Sequence, residues 1–173
     1  MDTELLYLAQ KIKVVAFDVD GVMTDGSLTF LEDGREIKTY NAKDGQGIVL
    51  LNRCGFKTAI ITARDNSTVK VRFDILKMHS LYMGQKNKLK ALYDLAEEHN
   101  VTLDEIAYMG DDIPDICILE KVGLPCCPND AVDEVKAVAK FISSKDGGKG
   151  AVRELCNFLL AAQKKEIFDK NAV

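Results

Sequence analysis

Three short, almost wholly apolar runs constrain this chain more than any other feature: Lys13–Asp18, Lys57–Thr62 and Glu105–Gly110, each ending in a polar or acidic group. Weaker strand signals follow at Gly123–Cys127 and Ala139–Ser143. Helical periodicity fills the gaps, at about Gly45–Arg53, Ser67–Met78, Asn87–His99, Pro114–Lys121, Val132–Lys136 and Ala151–Lys165. Strands without polar–apolar alternation are buried on both faces, and such strands alternating with helices make a parallel sheet covered on each side. The predicted fold is therefore α/β, a Rossmann-like parallel sheet flanked by helices. In such sheets ligands bind beyond the carboxyl ends of the strands.

One element breaks the alternation. Ser27–Leu31 and Glu36–Tyr40 are short β-type runs around Glu32-Asp33-Gly34-Arg35, and Asp-Gly is a strong hairpin signal. This β-hairpin insertion, residues 26–40, leaves just after the first strand and is expected to project over the mouth of the site. A two-stranded ribbon is marginal alone, so it is expected to pack on something, such as another subunit.

With 173 residues and no repeat, low-complexity tract or long linker, the chain reads as a single domain, 1–173. Its net charge of −4 argues against a general nucleic-acid binder. No apolar run approaches the roughly 20 residues of a membrane span. The start, MDTELLYLAQKIK, is amphipathic and lacks the basic opening of a signal peptide. Five scattered cysteines read as thiols in a reducing cytoplasm. The tail, 164–173, is expected to be mobile.

The strand ends carry the chemistry. Asp18 and Asp20 close the first run, Thr62 the second, and Gly110-Asp111-Asp112 the third. Gathered at one sheet edge, Asp18, Asp20, Asp111 and Asp112 make an anionic pocket, and buried carboxylates repel unless paired or bound to metal. A hard divalent cation with oxygen ligands, Mg²⁺, suits an open site of few carboxylates plus a phosphate. Asp18, fixed at the end of an apolar strand, suits a nucleophile forming an aspartyl-phosphate. Asp20 is placed to protonate the leaving oxygen and then deprotonate the attacking water. Gly21 allows close backbone approach. Thr62 offers a hydroxyl and an amide to phosphate oxygens, and Lys88 a charge that neutralises phosphate and Asp18.

Taken together, Asp18-Val19-Asp20-Gly21, Thr62, Lys88, and Gly110-Asp111-Asp112 with Asp115 resemble the four ordered motifs of the haloacid dehalogenase superfamily of phosphatases. No inserted cap domain fits between them, which resembles the capless branch. The segments NAKDGQGI (41–48), ITAR (61–64), LYMGQKNKL (81–89), YMGDDIPD (108–115) and GGKGAVRE (147–154) are similar to the family of 3-deoxy-D-manno-octulosonate 8-phosphate phosphatases. The resemblance implies release of phosphate from an eight-carbon sugar acid in lipopolysaccharide precursor synthesis, Mg²⁺ dependence, and a homotetramer in which hairpins join and neighbours supply the missing cap. It implies that Asp18 is nucleophile and metal ligand, that Asp20 is acid/base, touches substrate and gives the metal its carbonyl, and that Asp111 is a metal ligand. It also implies substrate contacts from Asn41, Ala42, Lys43, Asp44, Gly45, Arg64, Arg72 and Lys88.

Two positions depart from that pattern: Ala63 stands where glycine is usual, and Val49 where a basic residue is common. Related enzymes act on nine-carbon sialic-type sugar-acid phosphates, and a receiver-like signalling module is a rival of another class. A receiver pairs adjacent acids at its first strand, whereas this chain has D-x-D there and G-D-D far downstream. Arg64 and Arg72, eight apart, are expected to share one face of a helix. Asp112 is read as holding a metal-bound water or capping a helix, and Asp115 as acting indirectly on the metal loop. Lys86 is expected to be solvated.

Overall fold

A computed structural model describes residues 3–165. The expected mobile tail lies outside the described residues from 166 onward. The first run forms β1 (Val14–Phe17), buried along its whole length. It pairs in parallel with β4 (Lys57–Ile61) on one side and β6 (Ile106–Met109) on the other, Phe17 standing opposite both Ile60 and Met109. Beyond β4 lies β5 (Ser80–Tyr82); beyond β6 lie β7 (Leu124–Cys127) and β8 (Phe141–Ile142). The sheet order is thus β5-β4-β1-β6-β7-β8, parallel throughout. The chain winds outward from β1 in one direction, then returns and winds outward in the other. That reversal opens a crevice at the carboxyl end of β1, where such sheets bind ligands.

Alternate residues of β1 feed two cores. Val15 and Phe17 join the cluster beneath α1 (Thr3–Lys11), α2 (Ala42–Arg53), α3 (Ser67–Leu76) and α7 (Ala151–Ala162). Val14 and Ala16 join the cluster beneath α4 (Lys88–Glu98), α5 (Ile116–Leu119) and α6 (Asp133–Val138). Both faces are apolar, which explains why the sequence shows no two-residue alternation.

The expected strands are all present, shortened at their ends. β5 escaped the sequence reading because it is a three-residue strand at the sheet edge. α2 begins at Ala42, not Gly45, because the Asn41 side chain accepts from the Lys43 amide at 2.8 Å and caps the helix. Two glycines in its first turns disguise it as loop. The hairpin is also found, reduced to β2 (Thr29–Phe30) and β3 (Glu36–Ile37), antiparallel and closed around Gly34 with φ 83°. Leu28, Phe30, Leu31 and Ile37 on this ribbon are exposed. Among the described residues no helix is long and apolar enough to cross a membrane.

The segment before α7 braces the loop that follows β1. The Gly148 amide donates to the Val22 carbonyl at 2.9 Å, and a Cβ at Gly147 would collide with the Gly21 carbonyl. Glu154 of α7 fixes this segment, accepting from the Ser143 hydroxyl, the Ser144 amide at 2.7 Å and the Ser144 hydroxyl at 2.8 Å. Burial pushes the Glu154 carboxyl up, but these donors outweigh it and leave it below the usual value. A carboxylate depressed in the folded state contributes stability above its unfolded value, lost as pH falls through the folded one. Glu154→Gln is expected to cost about 1–2 kcal/mol at pH 7. The deficit relative to the parent should shrink below about pH 4.5 as the parent's own Glu154 protonates. Urea unfolding across pH checks both; a deficit that does not change with pH would contradict the charged cap.

Candidate active site

The loop after β1 is wound tightly because three amides, of Val22, Met23 and Thr24, converge on the Val19 carbonyl at 2.9–3.3 Å. The Thr24 hydroxyl also donates to that carbonyl and accepts from the amides of Gly21 and Gly26. Gly21 takes φ 82°, and any Cβ there would enter the Asp111 carboxylate. Both facts require glycine.

A cleft of about 260 Å³ opens over this loop, lined by Asp18, Asp20, Gly21, Thr62, Ala63, Arg64, Lys88, Asp111, Asp112 and Asp115, among others. Asp18 is held by its own amide, which donates to the Met109 carbonyl at 2.9 Å and continues the β1–β6 ladder. Thr62 is fixed in the same way by its amide on the Tyr82 carbonyl. Lys88 opens α4, buried to 4%, and its Nζ lies 3.0 Å from Asp18 Oδ1 and 2.7 Å from Asp115 Oδ1. Lys86 does not line the cleft.

Oxygens of Asp18, Asp111 and Asp115 lie within 4.8 Å of one another. Asp115, however, has both oxygens engaged. Oδ1 accepts from Lys88 and from the Tyr108 hydroxyl at 2.7 Å; Oδ2 accepts from the Asp111 and Asp112 amides at 3.0 and 3.3 Å. It orients the others rather than facing a ligand. Oδ1 of Asp18 and Oδ1 of Asp111 are buried with no hydrogen-bond partner, the Lys88 ammonium standing near the former as an ion pair only. Burial pushes the Asp111 carboxyl up to about 8, helped by Asp18, Asp115 and Asp112. Burial likewise pushes Asp18 up to about 6, with Lys88 opposing and Asp115 adding. Lys88 itself is raised: burial disfavours its charge, but Asp18 and Asp115 more than offset that. Were all three carboxylates ionised, one ammonium would leave two negative charges uncompensated, which together with burial is why Asp18 and Asp111 are raised. A divalent ion with hard oxygen ligands fits that deficit and those two orphan oxygens.

Asp20 lines the same cleft but lies outside that group of three carboxylates. Its Oδ1 meets Lys38 Nζ and its Oδ2 lies 3.3 Å from Arg64 Nε. Arg64 precedes α3, which the Asn66 cap starts at Ser67, so Arg64 and Arg72 do not share a helix face as expected. Arg72 packs instead on the start of α2, donating to the Asn41 carbonyl at 3.1 Å with its guanidinium 5.3 Å from the Tyr40 ring. Asn41, Ala42, Lys43, Asp44 and Gly45 likewise do not line this cleft. Asp44 is buried, and its carboxylate accepts the Arg153 amide at 2.8 Å and the Gly150 amide at 3.3 Å, capping α7. Asp112 caps the turn at Ile113 through that residue's amide, at 2.8 Å. Sequence reasoning missed Lys38, Glu36 and Tyr108. Tyr108 lay inside the third apolar run, and its hydroxyl alone marked it.

A parallel sheet whose central strand ends in D-x-D-G, with threonine, lysine and G-D-D converging on it, defines the class of haloacid dehalogenase-like hydrolases; the model of that family matches residues 77–155. A 3-deoxy-D-manno-octulosonate 8-phosphate phosphatase of Salmonella typhi is 39% identical over 165 residues, covering 95% of this chain and 88% of the relative. The phosphatase of that name from Moraxella catarrhalis, solved in complex with a magnesium ion, a phosphate ion and KDO, superposes with a TM-score of 0.92 at 35% identity, covering 95% of this chain and 94% of the other. A cobalt-bound deoxy-D-mannose-octulosonate 8-phosphate phosphatase from Haemophilus influenzae gives 0.90 at 35% identity, covering 94% and 95%. The chain belongs to this family, the 3-deoxy-D-manno-octulosonate 8-phosphate phosphatases.

Asp115 is the hub of the buried network, so Asp115→Asn places a donor against groups that themselves donate. It is expected to destabilise the protein by about 3 kcal/mol. Tyr108→Phe removes one hydrogen bond and should cost about 1 kcal/mol. Equal unfolding midpoints for the two variants would contradict the ranking.

Proposed function

We propose that this chain is a magnesium-dependent phosphatase that hydrolyses 3-deoxy-D-manno-octulosonate 8-phosphate to 3-deoxy-D-manno-octulosonate and phosphate, in the cytoplasm, during lipopolysaccharide precursor synthesis. The observation that carries this reading is the crowding of the Asp18, Asp111 and Asp115 carboxylates around one ammonium, with Oδ1 of Asp18 and of Asp111 buried and without a hydrogen bond, beside a cleft lined by Thr62, Lys88 and Arg64. Family membership supplies the substrate.

Asp18 and Asp111 would hold the magnesium ion through their carboxylates, and Asp20 through its backbone carbonyl. When bound, the ion neutralises charge on the phosphoryl oxygens and on the carboxylates around it. Asp18 attacks phosphorus while the bond to the sugar oxygen breaks, giving an aspartyl-phosphate and an alkoxide that takes its proton from Asp20. Water then attacks the same phosphorus, giving its proton to Asp20, and the acyl-phosphate bond breaks to release phosphate and restore Asp18. Thr62 and Lys88 bind phosphoryl oxygens, and the ammonium offsets charge that grows in the transition state. Arg64, with its planar fork exposed at the rim, takes the substrate's anionic groups. Asn41–Gly45 and Arg72 lie outside the single-subunit cleft, so contacts from them require an assembled oligomer.

Asp18→Asn is expected to lose on the order of 1000-fold or more in kcat. It should keep its thermal stability in chelator, because an acid raised by burial disfavours the fold once pH exceeds its unfolded value and it ionises. Added Mg²⁺ should raise the melting temperature of the parent and not of Asp18→Asn. Full turnover in excess chelator would remove the metal from the reading. A panel of sugar-acid phosphates compared by kcat/KM decides between eight-carbon and nine-carbon substrates.

A homotetramer joined through the hairpins is the assembly that suits the exposed Leu28, Phe30, Leu31 and Ile37. Sedimentation should give four copies, and Phe30→Glu with Ile37→Glu should dissociate them. An active monomer would refute a cap supplied by neighbours.

A further inference from the structure

We propose that Lys38, carried at the end of the hairpin, is a positioning residue for the Asp20 carboxylate, with Glu36 as its counter-ion; this rests on the phosphatase reading above. Lys38 is an anomaly in an otherwise exposed ribbon. Its side chain is only 1% exposed, with Nζ set between Asp20 Oδ1 and Glu36 Oε1, the latter at 2.8 Å. Glu36 is in turn held from its other oxygen by Arg64 Nη1 at 3.3 Å and Asn66 Nδ2 at 3.2 Å. Buried charges persist only in well-paired geometry, and this set is paired throughout.

The two cations on Asp20 differ in kind. Arg64 lines the cleft and is 43% exposed, so an incoming anion can draw it away. Lys38 is buried and lies outside the cleft lining, so it stays when Arg64 leaves. An acid/base group must sit within hydrogen-bond reach of the proton it moves, and the contacts that hold the Asp20 carboxylate come from Lys38 and Arg64. The buried ammonium keeps that carboxylate in place. The hairpin therefore enters the reaction chemically, as well as through its apolar face.

The test uses full-length protein with Mg²⁺ and two substrates. The sugar-acid phosphate has an alkoxide leaving group that needs a proton; p-nitrophenyl phosphate has a phenolate that does not. Lys38→Met is expected to lower kcat on the sugar phosphate by about 10–100-fold with KM little changed. With p-nitrophenyl phosphate the same variant should show a stoichiometric burst of p-nitrophenolate followed by slow turnover, because water attack still needs Asp20 as base. Lys38→Arg should recover part of the loss. The double variant Glu36→Gln/Lys38→Met leaves neither buried charge unpaired, guards against misfolding, and should give the same signature. A raised KM at unchanged kcat, or parent-like kcat in the folded double variant, overturns the assignment while leaving the phosphatase reading intact. Absence of turnover by the parent on both substrates overturns that reading, and this one with it.

Discussion

Repulsion among carboxylates at the end of one strand sets the terms for the rest of this molecule. β1 is buried on both faces and delivers Asp18 to the crevice where the sheet reverses its winding. β6, its neighbour, delivers Asp111 and, one turn later, Asp115. Two like charges some 4 Å apart at an effective dielectric near 20 repel by about 4 kcal/mol. Lys88 offsets part of this for Asp18 and Asp115, and four donors satisfy Asp115 completely. Among the described residues Asp18 Oδ1 has only the Lys88 ammonium beside it, at 3.0 Å, and Asp111 Oδ1 has no hydrogen-bond partner. A fold tolerates that arrangement where a ligand completes it, so the cost falls on the free protein and the benefit on the bound one.

The surroundings follow from holding this cluster still. Gly21 is compelled by its neighbour Asp111 and by its own backbone conformation. The Gly147–Gly148 segment presses on the same loop from behind, so close that side chains there would strike backbone. That segment is tied to α7 through Glu154, and α7 is tied to α2 through the Asp44 cap. A chain of polar anchors thus runs from the cleft to the helices on one face of the sheet. The other face holds the cluster through α4, whose first residue is Lys88.

The sheet was legible because each inner strand is a nearly uninterrupted apolar run, and the acid at its end marks where the run leaves the core. The residues that line the cleft were legible for the same reason: Asp18, Thr62 and Asp111 sit at fixed places relative to strand ends. What escaped were partners set by tertiary approach. Nothing local marks Lys38, the single lysine of the hairpin, as buried; its burial arises from its approach to Asp20 and Glu36. Tyr108 read as core, and it is core, but its hydroxyl end reaches Asp115. Arg72 failed in the opposite direction. Helical spacing related it to Arg64 only if both lie on the helix, and the Asn66 cap starts that helix two residues after Arg64's neighbour Asp65.

Asp20 shows how a residue of the hairpin segment enters the site. Asp18 and Asp111 are steadied by the ladder and by the Asp111 amide on Asp115, all within the core. Asp20 lies past the strand, partly exposed, and its carboxylate is paired with Lys38 and Arg64. It is held there by Lys38, next to the ribbon, and by Arg64, just past β4. The same ribbon exposes the apolar side chains Leu28, Phe30, Leu31 and Ile37, the surface through which the proposed tetramer would form. Association that steadies the ribbon would therefore steady Asp20 through Lys38. Assembly and proton transfer would then be coupled through one buried ion pair rather than through any movement of the sheet.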